Sequence, residues 1–124
     1  MQLNLQRVRF SVEADNRLRM LKARTGLTPN ILCRLGFCLS LEAAGPPVHD
    51  ASEFSPREIN RYTLLGEYDA LFVALMRSRH PEMDDEGAFG ETFVGHLHRG
   101  ITLLANRLKP GVSIAEILPM IASS

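Results

Sequence analysis

Seven basic side chains lie within the first 34 residues, and they are the residues whose type and spacing could bind phosphate. They are Arg7, Arg9, Arg17, Arg19, Lys22, Arg24 and Arg34. With two acidic residues, this segment has a net charge of 7 − 2 = +5. Residues 42–91 carry eleven acids and four arginines (−7) and the remainder +2, so the chain is formally neutral. The charge pattern therefore predicts a basic front half that can present a local positive field to a phosphate backbone.

A helical pair joined by a tight turn is predicted within KARTGLTPNILCRLGFCLSL, residues 22–41. Gly26 suits the left-handed position just past a helix, and Thr28 can cap the next helix, ahead of a proline in its first turn. The free N–H groups and the dipole of a helix N-terminus favour anions. Because Arg24 and Arg34 flank the turn, the segment could hold a phosphate. The alternative is that the turn is only a helical hairpin of the core.

The cysteines and histidines do not form a recognisable catalytic or metal-binding pattern. Cys33 and Cys38 are rotated by about 140° on a helix, so we expect two separate buried thiols and no disulfide. His96 and His98 differ by about 200° and cannot hold one ion together. The sequence has no HExxH, no paired CxxC and no glycine-rich phosphate loop. We predict neither catalysis nor a metal or cofactor, although a Cys–His pair that meets only in space stays possible.

The first half of the chain has the order strand, helix, turn, helix. Alternation from Leu3 to Phe10 predicts a strand with its arginines on one side. A first helix capped by Ser11 should bury Ala14, Leu18 and Leu21. A second helix from Pro29 to about Glu42 should bury Ile31, Leu32, Leu35 and Leu39. Because a lone strand needs a partner and none is evident nearby, we expect pairing with another chain, as in ribbon-helix-helix proteins, which read DNA with a β-ribbon.

The second half is predicted to be helical after a linker at Ala43–Phe54. The capping box Ser55-Pro56-Arg57-Glu58 predicts a helix start, but the alternative is a short extended piece at Ile59–Leu64, because Gly66 interrupts the pattern. A firmer helix follows at Glu67–Arg79. The apolar stripe expected on that helix is Tyr68, Leu71, Phe72, Leu75 and Met76. Glu82–Gly90 is predicted to be a solvated acidic loop that is not a calcium site.

A long helix running to about Lys109 follows the acidic loop in this prediction. The residues expected on its buried face are Phe93, Leu97, Ile101, Leu104 and Leu108. After the break at Pro110-Gly111, Ser113 and Glu116 predict the cap of a short terminal helix. The apolar residues of that helix are Ile114, Ile117, Leu118 and Ile121.

The chain length and composition, with 45% hydrophobic and 23% charged residues, predict a single domain spanning residues 1–124. The expected fold class is mainly α, with a short N-terminal strand, a helix-turn-helix pair (ribbon-helix-helix-like) and a helical C-terminal half. No run of 18 apolar residues predicts a membrane span. The N-terminus MQLNLQRVRF lacks the apolar core of a signal peptide, so we expect a cytoplasmic protein.

Three segments together resemble the DNA sulfur modification family DndE. They are RTGLTPNILCRLGFCLSLE (24–42), INRYTLLGEYDALFVALM (59–76) and HLHRGITLLANRLK (96–109). The resemblance implies a compact helical subunit of the bacterial system that replaces a non-bridging phosphate oxygen of DNA with sulfur. It implies a homotetramer that binds double-stranded DNA, favours nicked duplex, and acts beside a cysteine desulfurase, an iron–sulfur sulfurtransferase and an ATPase. It carries no established catalytic residues, and its lysine contacts are mostly replaced here by arginine.

The sequence therefore predicts a non-catalytic DNA-binding subunit of the phosphorothioation machinery. The alternative is a ribbon-helix-helix repressor or antitoxin, in which Arg7 and Arg9 would read base edges. The residues predicted to contact DNA are Arg7, Arg9, Arg17, Arg19, Lys22, Arg24, Thr28 and Arg34.

Overall fold

The fold is mainly helical with one two-stranded β-ribbon, as a computed structural model describes it for residues 1–48 and 53–108. The elements are β1 (Arg7–Ser11), α1 (Val12–Thr25), α2 (Pro29–Glu42), β2 (Phe54–Asn60), α3 (Arg61–Leu65), a 3₁₀ turn (Gly66–Tyr68), α4 (Asp69–Arg79) and α5 (Glu86–Arg107). The predicted fold class, mainly α with an N-terminal strand, is confirmed. The terminal helix predicted to start at Ser113 lies outside the described residues. Within the described ranges, no helix is both long and apolar enough to cross a membrane.

The partner of β1 is β2 of the same chain, which corrects the expectation of a partner from another chain. The two strands are antiparallel, with Val8 opposite Ile59 and Arg9 opposite Glu58. Val8 and Phe10 point inward and are buried, as the alternation predicted. The pairing brings residues more than forty positions apart into one ribbon, so it ties the start of the chain to its middle.

The predicted helix at Ser55-Pro56-Arg57-Glu58 is wrong, because this segment is β2. The Ser55 hydroxyl accepts a hydrogen bond from the Arg57 backbone N–H at 3.0 Å, which is a local turn contact and not a helix cap. Pro56 is exposed, and a strand at the edge of a sheet tolerates its missing N–H. The inward positions are Ser55, Arg57 and Ile59, and two of the three are polar. The hydrophobicity pattern of β2 therefore does not show the alternation of inward and outward residues.

The turn between α1 and α2 has the predicted backbone. Ser11 caps α1 by accepting from the Ala14 N–H at 3.1 Å. Gly26 has φ +76° and donates to the Lys22 carbonyl at 2.8 Å, as expected for a left-handed residue after a helix. Thr28 occupies the cap position of α2, but its hydroxyl makes no capping bond and donates instead to the Asn30 side chain. Thr28 therefore lies at the predicted cap position but does not make the predicted capping hydrogen bond.

Helices α2 and α5 cross at two glycines, where their backbones touch. A Cβ built on Gly100 would lie 2.0 Å from the carbonyl oxygen of Gly36, and one built on Gly36 would lie 2.7 Å from the carbonyl carbon of Gly100. No side chain fits between backbones at that separation. The two glycines thus permit direct contact between the backbones of α2 and α5.

The close crossing rotates the buried face of α2 away from the predicted stripe. Leu32 and Leu39 are buried as expected, but Ile31 is 37% exposed and Leu35 only partly buried. The positions that face α5 and the core instead are Cys33, Gly36, Phe37 and Ser40. Phe37 packs against the rings of Phe72 and Phe93 at 5.1 and 5.3 Å between centroids.

The predicted stripe of α4 is also partly wrong. Phe72 and Met76 are buried, but Tyr68 and Leu71 are exposed and Val73 is buried in their place. By contrast, the five apolar residues predicted for the buried face of α5 are all buried. This helix begins at Glu86, inside the segment predicted to be a loop, and Asp85 caps it by accepting from the Gly87 N–H at 3.2 Å.

Candidate nucleic-acid interface

A buried carboxylate organises two arginines on one flank of α1. Asp15 is 3% exposed and accepts hydrogen bonds from the Arg57 Nε and from two nitrogens of Arg19, the latter at 3.3 and 3.4 Å. Burial alone raises the pKa of Asp15. The hydrogen bond and charge of Arg57, together with Arg19, outweigh burial, so the pKa lies below its usual 3.8. The carboxylate therefore stays charged and holds both guanidinium groups in place.

Lys22 extends this group along the same flank, because helical rotation places it within about 60° of Arg19. The Arg19 side chain is 68% exposed, and Lys22 is exposed with no ion pair among the residues that the structure describes. We call Asp15, Arg19, Lys22 and Arg57 the Asp15 cluster. Its three cations and one anion leave a local net charge of +2. A guanidinium fixed by one carboxylate still has N–H groups that can donate to phosphate oxygens.

Arg7 and Arg9 lie on the outer face of the ribbon. Arg7 pairs with Glu58 at 3.1 Å, and its side chain remains 71% exposed. The Arg9 guanidinium lies over the Phe54 ring, 4.7 Å from the centroid. Both are accessible, although the neighbouring Glu58 reduces the positive charge there.

Arg17 and Arg24 lie on the opposite flank of α1, about 160° and about 140° from Arg19 respectively. Arg17 pairs with Glu13 at 3.4 Å, and Arg24 donates to the Leu108 carbonyl at 2.8 Å, which joins α1 to the end of α5. The expected patch of four basic residues on one polar side is therefore divided between two flanks.

Thr28 and Arg34 lie at the start of α2, beside α3. Arg34 donates to the carbonyls of Leu64 and Thr63 at 2.7 and 3.3 Å, and its guanidinium lies 5.5 Å from the centroid of the Tyr68 ring. Since Arg24 also binds a carbonyl, both arginines that flank the turn join elements of the fold. The geometry does not gather them at the helix N-terminus.

A chain of buried polar groups, which sequence reasoning missed, links α2, the end of α4 and α5. The Arg99 Nε donates to the Ser40 hydroxyl at 2.8 Å, Ser40 Oγ contacts His96 Nδ1 at 2.7 Å, and His96 Nε2 contacts His80 Nε2 at 2.8 Å. With Ser40 donating to His96 and His96 donating to His80, every bond is satisfied by two neutral imidazoles. The fifteen residues between the histidines carry no pattern that predicts this contact.

Burial lowers the pKa of His96 to about 3, and the neighbouring His80, Arg99 and Arg79 act in the same direction. The pKa of His80 is lowered by burial and by the same two arginines. Both imidazoles are therefore neutral at neutral pH, and the network is structural because Ser40 and His96 are fully buried.

The cysteines are separate thiols, as predicted. Cys33 is fully buried, and burial raises its pKa to about 12. Cys38 is partly buried, and burial and Glu42 raise its pKa. Neither thiol is activated as a nucleophile. Across residues 1–48 and 53–108, no three His, Cys, Asp or Glu side chains come together in a way that could hold a metal ion.

These features define a small helical protein with a β-ribbon and an arginine-rich surface. The sequence model of the DndE family, described as DNA sulphur modification protein DndE, matches residues 7–110. The chain belongs to the DndE family. Its predicted identification is thereby confirmed, and the chain is related to the DNA phosphorothioation system.

Two solved structures share the fold. The crystal structure of DndE from Escherichia coli B7A, which is involved in DNA phosphorothioation modification, superposes with a TM-score of 0.71. The two chains are 24% identical, and the match covers 83% of this chain and 99% of that one. A DndE mutant with glycines replaced by lysine gives a TM-score of 0.64 at 24% identity, covering 82% of this chain and 98% of that one. Comparison with curated protein sequences gives no match.

Proposed function

We propose that this protein is a cytoplasmic, non-catalytic DNA-binding subunit of the phosphorothioation machinery, and that it favours nicked double-stranded DNA. The Asp15 cluster is the observation that carries the proposal. It fixes two arginines on a buried carboxylate, with the Arg19 side chain 68% exposed, the Arg57 side chain 26% exposed and Lys22 exposed beside them. A surface that grips phosphates without reading bases suits a subunit that holds a backbone for modification.

Arg19, Lys22 and Arg57 are the central contacts in this proposal, with Arg7 and Arg9 on the ribbon as the second group. Arg17, Arg24, Thr28 and Arg34 contribute at the edge, because their contacts already tie them to the fold or to Glu13. Binding of this kind depends on salt, since each neutralised phosphate releases counterions.

The test is a matched pair of double variants that remove the same charge. Arg19→Gln with Lys22→Gln should weaken binding to nicked duplex and lower the salt slope by about two, one per phosphate contact. Arg77→Gln with Arg79→Gln, on α4, should leave both quantities close to those of the wild type. If the second pair weakened binding more than the first, the Asp15 cluster would not be the DNA surface.

Three duplexes at matched salt separate the proposed function from a repressor. Intact, nicked and palindromic DNA of equal length would be compared by gel shift. A preference for nicked duplex supports the modification subunit, whereas a preference for one palindrome supports base reading by Arg7 and Arg9. Because β1 is already paired with β2, a repressor's ribbon would have to be built differently from the one described.

We also propose that the protein is a homo-oligomer, a tetramer, that assembles with the desulfurase, sulfurtransferase and ATPase of the system. Helix α4 runs alongside α2 in the same direction, because Arg34 stacks on Tyr68 at one end and Arg79 donates to the Leu41 carbonyl at the other. The two helices and the turn before α4 carry apolar residues that are exposed or only half-buried. We call them the apolar face: Ile31, Leu35, Tyr68, Leu71 and Leu75. Exposed apolar side chains on two neighbouring helices support association with a second copy.

A further inference from the structure

An open cleft lies between the start of β1 and the junction of β2 with α3, on a different part of the surface from the Asp15 cluster. Its volume is about 800 Å³. Its lining includes Leu5, Arg7, Tyr62, Gly66 and Glu67. A volume in this range is typical of pockets that hold small molecules.

Tyr62 is the most unusual residue of this cleft, because its ring is almost fully outside the core. It is 87% exposed, although tyrosine usually buries its apolar ring. Its backbone is fixed, since the Asn60 side chain accepts from the N–H groups of Tyr62 and Thr63 at 2.8 and 3.2 Å. A flat aromatic surface is thus held beside the cleft without a described partner ring.

The floor of the cleft is rigid. Arg61 binds both carboxylate oxygens of Asp69 at 2.7 Å, and the same guanidinium donates to the carbonyls of Leu3 and Leu5. The pKa of Asp69 is lowered by this hydrogen bonding. The charged groups of the floor therefore neutralise each other and hold the N-terminal segment in place.

The cleft suits a planar base better than a phosphate. Leu5 and the Tyr62 ring offer apolar surface, and the carboxylate of Glu67 would repel a phosphate placed deep in the cleft. Arg7, at the rim, has a side chain that is 71% exposed and can bind the phosphate of a nucleotide whose base lies inside. Aromatic side chains bind unpaired bases by stacking, and this recognition tolerates any base.

We propose that this cleft binds an unpaired nucleobase, with Tyr62 stacking on the base and Arg7 holding its phosphate. The inference rests on the proposed DNA-binding function and adds a site that recognises the lesion itself, because a base at a nick can leave the helix more easily than a base in intact duplex. The Asp15 cluster then holds the flanking backbone.

The first experiment compares two nicked duplexes that differ only in one unpaired nucleotide at the nick, which carries a base in one and is abasic in the other. The wild type should bind the base-containing duplex about tenfold more tightly, which is the scale of one base–aromatic stack. Tyr62→Ala should bring this ratio close to one, and Tyr62→Phe should preserve it, since phenylalanine keeps the ring. An unchanged ratio in Tyr62→Ala would overturn the proposal.

A second experiment does not depend on duplex binding. In the Tyr68→Phe variant, Tyr62 is the only tyrosine, because the chain has two tyrosines and no tryptophan. In an NMR titration of this variant, single-stranded oligothymidylate should shift the ring-proton resonances of Tyr62. An abasic chain of equal length should not shift them. If the wild type failed to bind any duplex, the proposed function would be wrong. The titration would still show whether the cleft binds a nucleobase. Tyr62→Ala could also change the mass of the assembly while the preference for a base over an abasic site is retained. Tyr62 would then contact another protein chain, and this result would contradict the proposal.

Discussion

Arginine has two distinct uses in this protein, and they can be separated residue by residue. Arg24, Arg34 and Arg99 donate to backbone carbonyls where one element meets another. A guanidinium suits this role because its planar fork reaches several acceptors at once. Arg19 and Arg7 keep more than two thirds of their side chains exposed. Charge counts along a sequence do not distinguish the two uses. Some arginines of the basic front half therefore connect elements of the fold and are not part of a binding surface.

Asp15 is expected to contribute to stability through its two arginines. Asp15→Asn should reduce the free energy of unfolding by about 1–3 kcal/mol, less than for a fully buried ion pair because Arg19 and Arg57 retain contact with water. Urea unfolding at pH 7 would measure this loss. Glu13→Gln is the control, since Glu13 is 81% exposed and its one ion pair among the described residues is with Arg17.

The same variant has a definite dependence on pH. The pKa of Asp15 is below 3.8 in the folded state, so its contribution is present above that pH and lost as the pH falls through the folded value. The stability difference between Asp15→Asn and the wild type should therefore close in acid. A difference that stayed constant down to pH 2 would mean that the charge of Asp15 is not its cause.

His96 gives a second prediction, in a different pH window. Its pKa is about 3 in the folded protein and 6.5 ordinarily, so between these values the unfolded chain binds a proton that the folded chain does not. Stability should fall as the pH is lowered from 6.5, by up to about 1.4 kcal/mol per pH unit. Chemical unfolding at several pH values would measure the slope, and His96→Gln should make it shallower. An equal slope in the variant would assign the effect to other groups.

Among the elements, α2 and α5 are held at a distance that only glycine permits. Gly100→Ala should destabilise the protein by about 1–3 kcal/mol or more, because its Cβ would lie 2.0 Å from the Gly36 carbonyl oxygen and the helices would have to separate. Thermal unfolding would report it. Gly90→Ala on the same helix is the matched control, since its Cβ meets nothing within 4 Å. It should be neutral or stabilise by up to about 1 kcal/mol. Equal effects of the two substitutions would contradict a contact at the crossing.

Gly26 tests the turn between α1 and α2. Gly26→Val should cost about 1 kcal/mol or more, because a β-branched residue tolerates φ +76° badly, although space around the position is open. Ala23→Val, at an exposed position of α1, provides the control for helix propensity alone. An unchanged melting temperature for Gly26→Val would show that the backbone there relaxes without strain.

The elements that were predictable from sequence are those whose signals are local. Ser11 and Gly26 mark the ends of α1, and the spacing from Phe93 to Leu108 marks the buried face of α5. Element β2 was not predictable, because its inward positions hold Ser55 and Arg57, and Arg57 is inward only to meet Asp15 from a distant part of the chain. The basic residues of the Asp15 cluster were only partly predictable, because Arg57 comes from the distant strand β2. Arg19 and Lys22 were named from sequence, and Arg57 was not.

At the scale of the whole molecule, three surfaces have different chemistry. The Asp15 cluster is basic, the cleft at Tyr62 combines an aromatic ring with a neutralised floor, and the apolar face lies along α2 and α4. In a neutral chain, repetition of a small basic cluster by self-association is the way to reach a strong field over a long stretch of DNA. Self-association is therefore coupled to DNA binding in the proposed function, and it can be tested separately.

The last prediction concerns the apolar face and the assembly. Light scattering of the wild type at micromolar concentration should give a multiple of the 13.8 kDa chain mass, with four copies expected. Leu71 is 53% exposed, so Leu71→Glu should leave the fold of one chain intact while placing a charge in the interface, and the mass should fall. Asn16→Glu on the exposed side of α1 adds the same charge away from this face and should not change the mass.

The dissociated Leu71→Glu variant should also bind nicked duplex more weakly, because each chain then contributes one Asp15 cluster without its repeats. A wild type that scatters as a monomer would remove the assembly from the proposal. A Leu71→Glu protein that keeps the wild-type mass would move the interface to another surface.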